Sequence, residues 1–430
     1  MLGDISVKIV DEPISSIDQL EVTDFQYNRL ASQMIGEIKG SDILDDEELE
    51  LFNFQMNKSF DAKPLRANKL VVVLKATRLC NLRCTYCHSW AEGPNQTIKF
   101  ERLVTIVKRI LSIPNVSRVE FVWHGGEVTL LRTEFFKKLI WLQEQFKRKD
   151  HVITNTMQSN AVNISREWLT FLKGMGMSVG ISFDGVPEIH DSRRLDVRGR
   201  PTSHKVANGI KQLKLYGIPY GALIVVDRDL YNIEPEKLLS YLTSIELNDI
   251  EFLNIVPDNR AKPGDDIGTA YISYQEYIKF LIGVYKVWYT SYQQKIQIRM
   301  FDNFIDVLSG KEKKLSACYW SGNCSQEIVT IEPNGDVSPC DKYVGEVGSI
   351  YGSLMESDLA TLLENSRHNK DSIKEEVESH NRMGECEWFS FCNGGCPHDR
   401  VINSRHVEGY NDKCCGTGEL LKVIKESLVK

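Results

Sequence analysis

The chain has 430 residues, 42% hydrophobic and 26% charged, enough for a large core and two or three domains. A net charge of -7, from 52 basic and 59 acidic residues, argues against a general nucleic-acid binder. No run approaches the roughly 18 apolar residues of a membrane span, and the N-terminal MLGDISVKIVDEP has neither the basic start nor the apolar stretch of a secretory signal. A cytoplasmic protein without nucleic-acid or membrane partners is expected.

Residues 1–68 read as a separate unit. DFQYNRLASQMIGEIKG (24–40) predicts a helix with Phe25, Leu30, Met34 and Ile35 near one face, and a second, acidic helix is expected from Leu44 to Phe54. From residue 69 the pattern alternates. β-rich runs occur at Leu70–Leu74, Val119–Trp123, Val152–Met157, Val179–Phe183, Ala222–Val226 and Phe252–Val256. Helical periodicity fills Phe100–Leu111, Glu134–Phe146, Arg166–Leu172, Lys205–Tyr216 and Glu236–Ile245. Ser165 is placed to cap the third helix, and Pro235 suits a first turn. Strands alternating with helices predict an α/β fold with a parallel sheet, doubly wound or curled into an incomplete barrel. Either way, ligands belong at the C-terminal strand ends.

An aromatic helix is expected over Tyr274–Tyr292. Beyond residue 310 the composition turns to Cys, Gly, Pro and Asn with short strands, and Asn334-Gly335 within VTIEPNGDVSPC (329–340) signals a hairpin. So loop-rich a region needs metal staples to fold. The expected division is 1–68, a candidate peptide-recognising extension; 69–310, the barrel; and 311–430, the cysteine-rich domain.

The cysteines stand at 80, 84, 87, 318, 324, 340, 386, 392, 396, 414 and 415. An odd number without an export signal fits disulfides poorly and metal or cluster ligation well. Cys80, Cys84 and Cys87 form a C-x3-C-x2-C loop directly after the first strand. Three thiolates suit a cubane cluster held by three of its four irons, leaving the fourth for a small molecule. A structural zinc loop completed by His88 is the alternative.

CNLRCTYC (80–87), with aromatic Tyr86 before the last cysteine, resembles the signature of the radical S-adenosylmethionine (SAM) superfamily. The resemblance implies a partial (β/α)6 TIM-like barrel and a 4Fe–4S cluster that chelates SAM. Reductive cleavage then gives methionine and a 5′-deoxyadenosyl radical that abstracts substrate hydrogen. It also assigns SAM contacts. WHGGE (123–127) gives Gly125 and Gly126, where backbone can approach the ligand, and Glu127, which faces the SAM ammonium group. MQSN (157–160) and GISFDG (180–185) give Ser159, Asn160 and Ser182, near ribose and carboxylate. Asp184 is left between substrate and its own loop, and Arg193 and Arg194 between the carboxylate of SAM or of a peptide and solvent. Trp90 and Trp123 are candidate lining residues, Trp123 with the stronger claim to the core.

The later cysteines resemble the SPASM extension of such proteins, which usually holds two auxiliary 4Fe–4S clusters. Its pattern gives Cys318, Cys324, Cys340 and Cys396 to one, and Cys386, Cys392 and Cys414 to the other, three clusters in all. The family has one more cysteine where this chain has Met383. Either Cys415 substitutes or an iron stays open. Asp341, after Cys340, resembles a catalytic base of sulfatase-maturing members. The resemblance therefore implies an oxidoreductase that oxidises or crosslinks (C–C cyclophane or thioether) side chains of a ribosomally made precursor peptide, with flavodoxin or ferredoxin as electron donor. An anaerobic sulfatase maturase forming formylglycine is the alternative within enzymes, and a non-catalytic iron–sulfur or zinc protein the alternative outside them.

Overall fold

Apolar residues at every second position build the strands, and one-sided helices cover them. The computed structural model describes residues 24–429 apart from 314 and 323; the first 23 residues of the predicted N-terminal unit and the side chain of Phe25 lie outside the described residues. The strands of the first part are β1 (Lys69–Thr77), β2 (Leu82–Cys84), β3 (Arg118–Gly125), β4 (Val152–Ser159), β5 (Val179–Ser182), β6 (Arg194–Asp196), β7 (Tyr220–Val226), β8 (Asp249–Asn254) and β9 (Gln297–Ile298). In the main sheet β1, β3, β4, β5, β7 and β8 lie side by side in chain order, every pair parallel. A doubly wound sheet reverses its order midway, whereas an unreversed order curls one way. This sheet is therefore a partial barrel.

β8 begins before its predicted span. Ile250, Phe252 and Asn254 are its buried positions, Ile250 is already paired with β9, and Ile255 and Val256 have left the sheet. The helices fall where periodicity places them. Phe100–Leu111 turns Leu103, Val104, Ile106, Val107, Ile110 and Leu111 inward. Ser165 Oγ accepts from Trp168 N at 3.2 Å, and Pro235 opens its helix. The aromatic helix Tyr274–Ser291 buries Tyr277, Phe280, Tyr285 and Trp288 and packs against Thr417–Leu428, tying the end of the chain to the barrel.

The helix Asp24–Gly36 is rotated from its predicted face. Ala31 and Ile35 are buried, while Leu30 and Met34 are 50% and 51% exposed. Docking on the barrel helix Thr133–Phe146 sets this rotation. Gln145 Nε2 donates to Gly36 O, and Trp141 Nε1 to Ile38 O, both at 2.8 Å, and small Ala31 permits close approach. After the short helix Gly40–Ile43, the helix Asp46–Asn57 starts at an Asp45–Glu48 capping box and sets Phe52 edge-on to Trp141.

Beyond residue 310, β10 (Ile328–Ile331), β11 (Asp336–Ser338) and β12 (Gly352–Ser353) extend the same sheet. β10 pairs in parallel with the outer edge of β1, and the Asn334-Gly335 hairpin returns β11. The region is far more helical than its composition implies: Leu359–Asn365, Arg367–Met383, Pro397–His406 and Thr417–Leu428 are helices. Arg367–Met383 (RHNKDSIKEEVESHNRM) has too few apolar residues to show a period. Among the described residues no helix is long and apolar enough to cross a membrane.

Candidate active site

β1 ends at Thr77, and the next residues form the cysteine loop. β2 carries Cys84 and pairs with β6, setting Cys84 opposite Arg194. The loop aims N–H groups at sulfur: Leu82 N donates to Cys80 Sγ at 3.3 Å, and Ser89 N to Cys87 Sγ at 3.4 Å. None of the three cysteines is in a disulfide. Burial pushes the Cys80 thiol up to about 12 and raises Cys84, and the neighbouring thiols add to both. Thiols crowded in this way ionise readily only beside a compensating cationic centre, as in cluster ligation. The donor set thus fits an iron–sulfur cluster. Among the described residues no three His, Cys, Asp or Glu side chains are placed to hold a single metal ion.

The three cysteines line a cavity of about 370 Å³ with Gly125, Gly126, Glu127, Ser159, Asn160, Ser182, Arg194 and Asp341. Every residue predicted for the SAM site thus lines one cavity, and Gly125, Gly126 and Glu127 also make close contacts within the protein. A Cβ on Gly125 would stand 2.0 Å from Thr77 O, and one on Gly126 2.1 Å from Leu79 O. Glycine is required because the cysteine loop presses on the end of β3, where Gly126 N donates to Thr77 O and Glu127 N to Leu79 O. Glu127 is 1% exposed. Its Oε1 accepts from Thr129 N, Thr129 Oγ1 and Ser159 Oγ, and its Oε2 from Asn160 N at 2.7 Å. The carboxylate therefore fixes the end of β4, with lone-pair capacity left on Oε2. Asn160 Nδ2 donates to Asn81 Oδ1 at 2.8 Å, joining that strand end to the cysteine loop, and Ser182 Oγ accepts from Gln158 Nε2 at 2.8 Å.

Asp184 faces neither substrate nor its own loop. It is fully buried, 3.2 Å from Arg193 Nε and 3.6 Å from Arg194 Nη1, and accepts from Tyr86 at 2.8 Å. Arg193 also pairs with Asp227. Both arginines are buried, Arg194 on the cavity wall, so the solvated alternative does not apply. Tyr86 of the cysteine signature is anchored by this network. Trp123 is a core residue, stacked on Phe136, whereas Trp90 lies under Arg83 and lines a neighbouring groove of about 730 Å³ that shares Cys87, His88 and Val344 with the cavity.

Asp341 comes from the other side, immediately after Cys340. Its Oδ1 lies 2.5 Å from Lys75 Nζ, and its Oδ2 3.6 Å from His124 Nδ1 and 3.5 Å from Ser89 Oγ. Burial pushes the carboxyl up, but Lys75 and then His124 outweigh it and hold it at about 2. Lys75 is fully buried and also 3.5 Å from Glu332 Oε1. Sequence reading missed Lys75 and His124, although a lysine inside KLVVVLKAT and a histidine inside WHGGE were signals. Lys342 was missed too. It sits on the cavity wall, donating to Asp399 at 2.8 Å and lying 3.9 Å from Cys396 Sγ.

The later cysteines form two groups. Burial raises Cys324, Cys340 and Cys396; Cys396 adds to Cys324 and Cys340, Asp399 adds to Cys396, and Cys318, which keeps an exposed edge, is among the contributors to each. Cys386, Cys392, Cys414 and Cys415, all free thiols, form the second group, with Cys386 hydrogen-bonded to Cys414 and Cys415 donating to Cys392. Met383 lies buried at the end of its helix.

Residues 74–242 match the radical SAM superfamily, and residues 318–397 match SPASM, an iron–sulfur cluster-binding domain. The cysteine-type anaerobic sulfatase-maturating enzyme of Clostridium perfringens is 31% identical over 335 residues, covering 76% of this chain and 88% of that protein. The serine-type enzyme of Bacteroides thetaiotaomicron is 29% identical over 379 residues, covering 83% and 88%. The solved structure of native anSMEcpe with bound AdoMet and Kp18Cys peptide superposes with a TM-score of 0.70 at 28% identity, covering 84% of this chain and 98% of that one. The chain belongs to the radical SAM superfamily as a SPASM-containing enzyme related to the anaerobic sulfatase-maturating enzymes, with SAM and iron–sulfur clusters as its cofactors.

Proposed function

We propose that this enzyme oxidises a serine side chain of a peptide or protein substrate to an aldehyde, or a cysteine side chain to a thioaldehyde that water hydrolyses to the aldehyde with release of hydrogen sulfide. The relatives' names point to such substrates, and one observation carries the reading here: Asp341 stands in the same cavity as Cys80, Cys84 and Cys87, held by Lys75 and His124. When bound, SAM with its reduced cluster supplies a radical that takes a hydrogen atom from the substrate, and the auxiliary clusters supply an acceptor for the second electron. The chain's own residues do the rest. Cys80, Cys84 and Cys87 hold the first of three 4Fe–4S clusters; Cys318, Cys324, Cys340 and Cys396 hold the second; Cys386, Cys392 and Cys414 contribute to the third. Gly125, Gly126, Glu127, Ser159, Asn160 and Ser182 shape the SAM site. Asp341, ionised at neutral pH, takes the proton released as the side chain is oxidised. The groove beside the cavity leaves room for flanking substrate residues. Oxidation occurs in the cytoplasm with flavodoxin or ferredoxin as donor, and residues 1–68, 69–310 and 311–430 act as extension, barrel and cluster domain.

Crosslinking of a precursor peptide is the second reading, favoured by the departure from the family's cysteine pattern at Met383. The same chemistry serves both, with the radical captured by a second side chain instead of yielding an aldehyde. The test is anaerobic incubation of the reduced, reconstituted enzyme and SAM with sulfatase-derived peptides carrying Cys or Ser. An aldehyde trapped by a hydrazide is expected, together with 5′-deoxyadenosine. Loss of two hydrogens without an aldehyde, on a precursor peptide encoded beside this gene, transfers the conclusion to crosslinking. No change in either substrate would refute both.

A further inference from the structure

The four thiols near the end of the chain are arranged as a set. Cys414 and Cys415 are adjacent, yet their sulfurs face different partners: Cys414 is hydrogen-bonded to Cys386, and Cys415 Sγ lies 3.6 Å from Cys392 Sγ. The pair links four sulfurs in a row, Cys386–Cys414–Cys415–Cys392. Two glycines make room for it. Gly395, at φ +74, carries no Cβ where one would stand 3.1 Å from Cys415 Cβ, and Gly416, at φ +90, turns the chain into the helix Thr417–Leu428 immediately beyond. That helix presents its N-terminal groups to the thiols: Gly416 N donates to Cys414 Sγ at 3.3 Å, and Cys415 Sγ donates to Thr417 Oγ1 at 3.3 Å. Donors at a helix N-terminus stabilise thiolates.

Met383 offers no comparable fit. It is buried, with its Sδ 3.0 Å from the point where a Cβ would stand on Gly394, so its thioether packs against that turn. A thioether also brings no charge, whereas four thiolates are the ordinary ligand set of a cubane cluster.

The geometry points to Cys415 as the fourth ligand of the second auxiliary cluster, which is closed by Cys386, Cys392, Cys414 and Cys415 and has no open iron. This assignment rests on the three-cluster reading above. It places the second auxiliary cluster in electron transfer, since a fully ligated cluster has no iron to bind substrate.

The test uses the full chain, reconstituted anaerobically, with iron and sulfide counting and electron paramagnetic resonance of the oxidised and reduced forms. Wild type is expected to hold about 12 iron atoms. Cys415→Ala should lose about one to four of them and show a three-iron signal or none for that cluster. Met383→Cys combined with Cys415→Ala should restore both count and spectrum by returning the family's ligand. Cys415→Ser keeps the side chain's size and so decides the matter should the alanine variant fail to fold; its oxygen ligand should shift the cluster's g values. Wild-type iron and unchanged spectra in the Cys415 variants overturn the assignment alone. About 8 iron atoms in wild type overturn the three-cluster reading and the assignment with it.

Discussion

Asp341→Asn separates what Asp341 does chemically from what it does structurally. The substitution preserves shape and removes the charge. Lys75 remains fully buried, with Glu332 Oε1 at 3.5 Å as its remaining carboxylate partner. Stranding one member of a buried pair costs ~3–5 kcal/mol; the lower end applies because the Asp341 side chain is 29% exposed and Glu332 stays. An apparent Tm drop of several degrees follows. Loss of a general base independently slows substrate oxidation by ~100- to 10,000-fold. SAM cleavage needs no such base, so 5′-deoxyadenosine should accumulate without product. Lys75→Met with Asp341→Asn removes both charges and should regain most of the lost stability but none of the product. The assay is anaerobic turnover with chromatographic 5′-deoxyadenosine, peptide mass and thermal unfolding on the same samples. Product formation recovering in step with stability in the double variant would refute the base role and leave Asp341 a structural anchor.

Glu127→Gln removes the charged acceptor that fixes Ser159 and Asn160. Hydrogen bonds to charged groups contribute ~1.5–3 kcal/mol, so SAM affinity by equilibrium dialysis should fall ~10- to 100-fold, and an unchanged Kd speaks against the assignment. Gly126→Ala puts a Cβ 2.1 Å from Leu79 O, which must displace the cysteine loop; reconstituted protein should lack about 4 iron atoms, those of the SAM cluster. Lys342→Met removes a cation 3.9 Å from Cys396 Sγ, so the potential of that auxiliary cluster, read by redox titration, should become more negative by at least about 60 mV. His190 is depressed by burial from 6.5 to about 3, accepting from Asp184 N while its Nε2 lies 3.1 Å from Thr202 Oγ1. A group depressed in the folded state contributes stability above its unfolded pKa and loses it as pH falls. Between pH 7 and 5 this one histidine therefore withdraws ~2 kcal/mol, and His190→Gln should flatten that part of the apparent Tm profile.

The barrel was legible because its chemistry repeats: half-buried strands alternate apolar and polar residues, one-sided helices follow, and the cysteine signature falls where ligands bind. Periodicity alone left the sheet doubly wound or curled, since strand order is a property of crossovers rather than of any segment; the resemblance carried by the cysteine signature supplied the barrel. The rotation of helix Asp24–Gly36 escaped reading because apolar Leu30 and Met34 outweigh small Ala31 in a periodicity count, while close packing on Trp141 and Gln145 favours the smaller residue. Glu127 shows the same limit within the site. Its motif places it correctly, but only the fold reveals that its carboxylate is already engaged by Thr129, Ser159 and Asn160. For Arg193 and Arg194 the sequence singled out the residues but not their partners, because Asp184 and Asp227, the carboxylates that neutralise them, come from other strand ends.

Lys75 joins these levels. A fully buried lysine on a barrel strand is stable only with carboxylates at hand, and here both come from beyond residue 310: Glu332 directly after β10 and Asp341 directly after Cys340. β10 supplies the register for this, since Val73 and Leu74 of β1 pair with Thr330 and Ile331, one step before Lys75 and Glu332. An ion pair that helps hold the cysteine-rich region to the barrel is thus also the one that sets the proposed base in the cavity. Cys340 and Asp341 are neighbours in the chain, so displacement of the auxiliary cluster there displaces the base as well. The electron acceptor and the proton acceptor proposed for the oxidation are therefore coupled by a single peptide bond, with Lys75 and His124 holding the second of them.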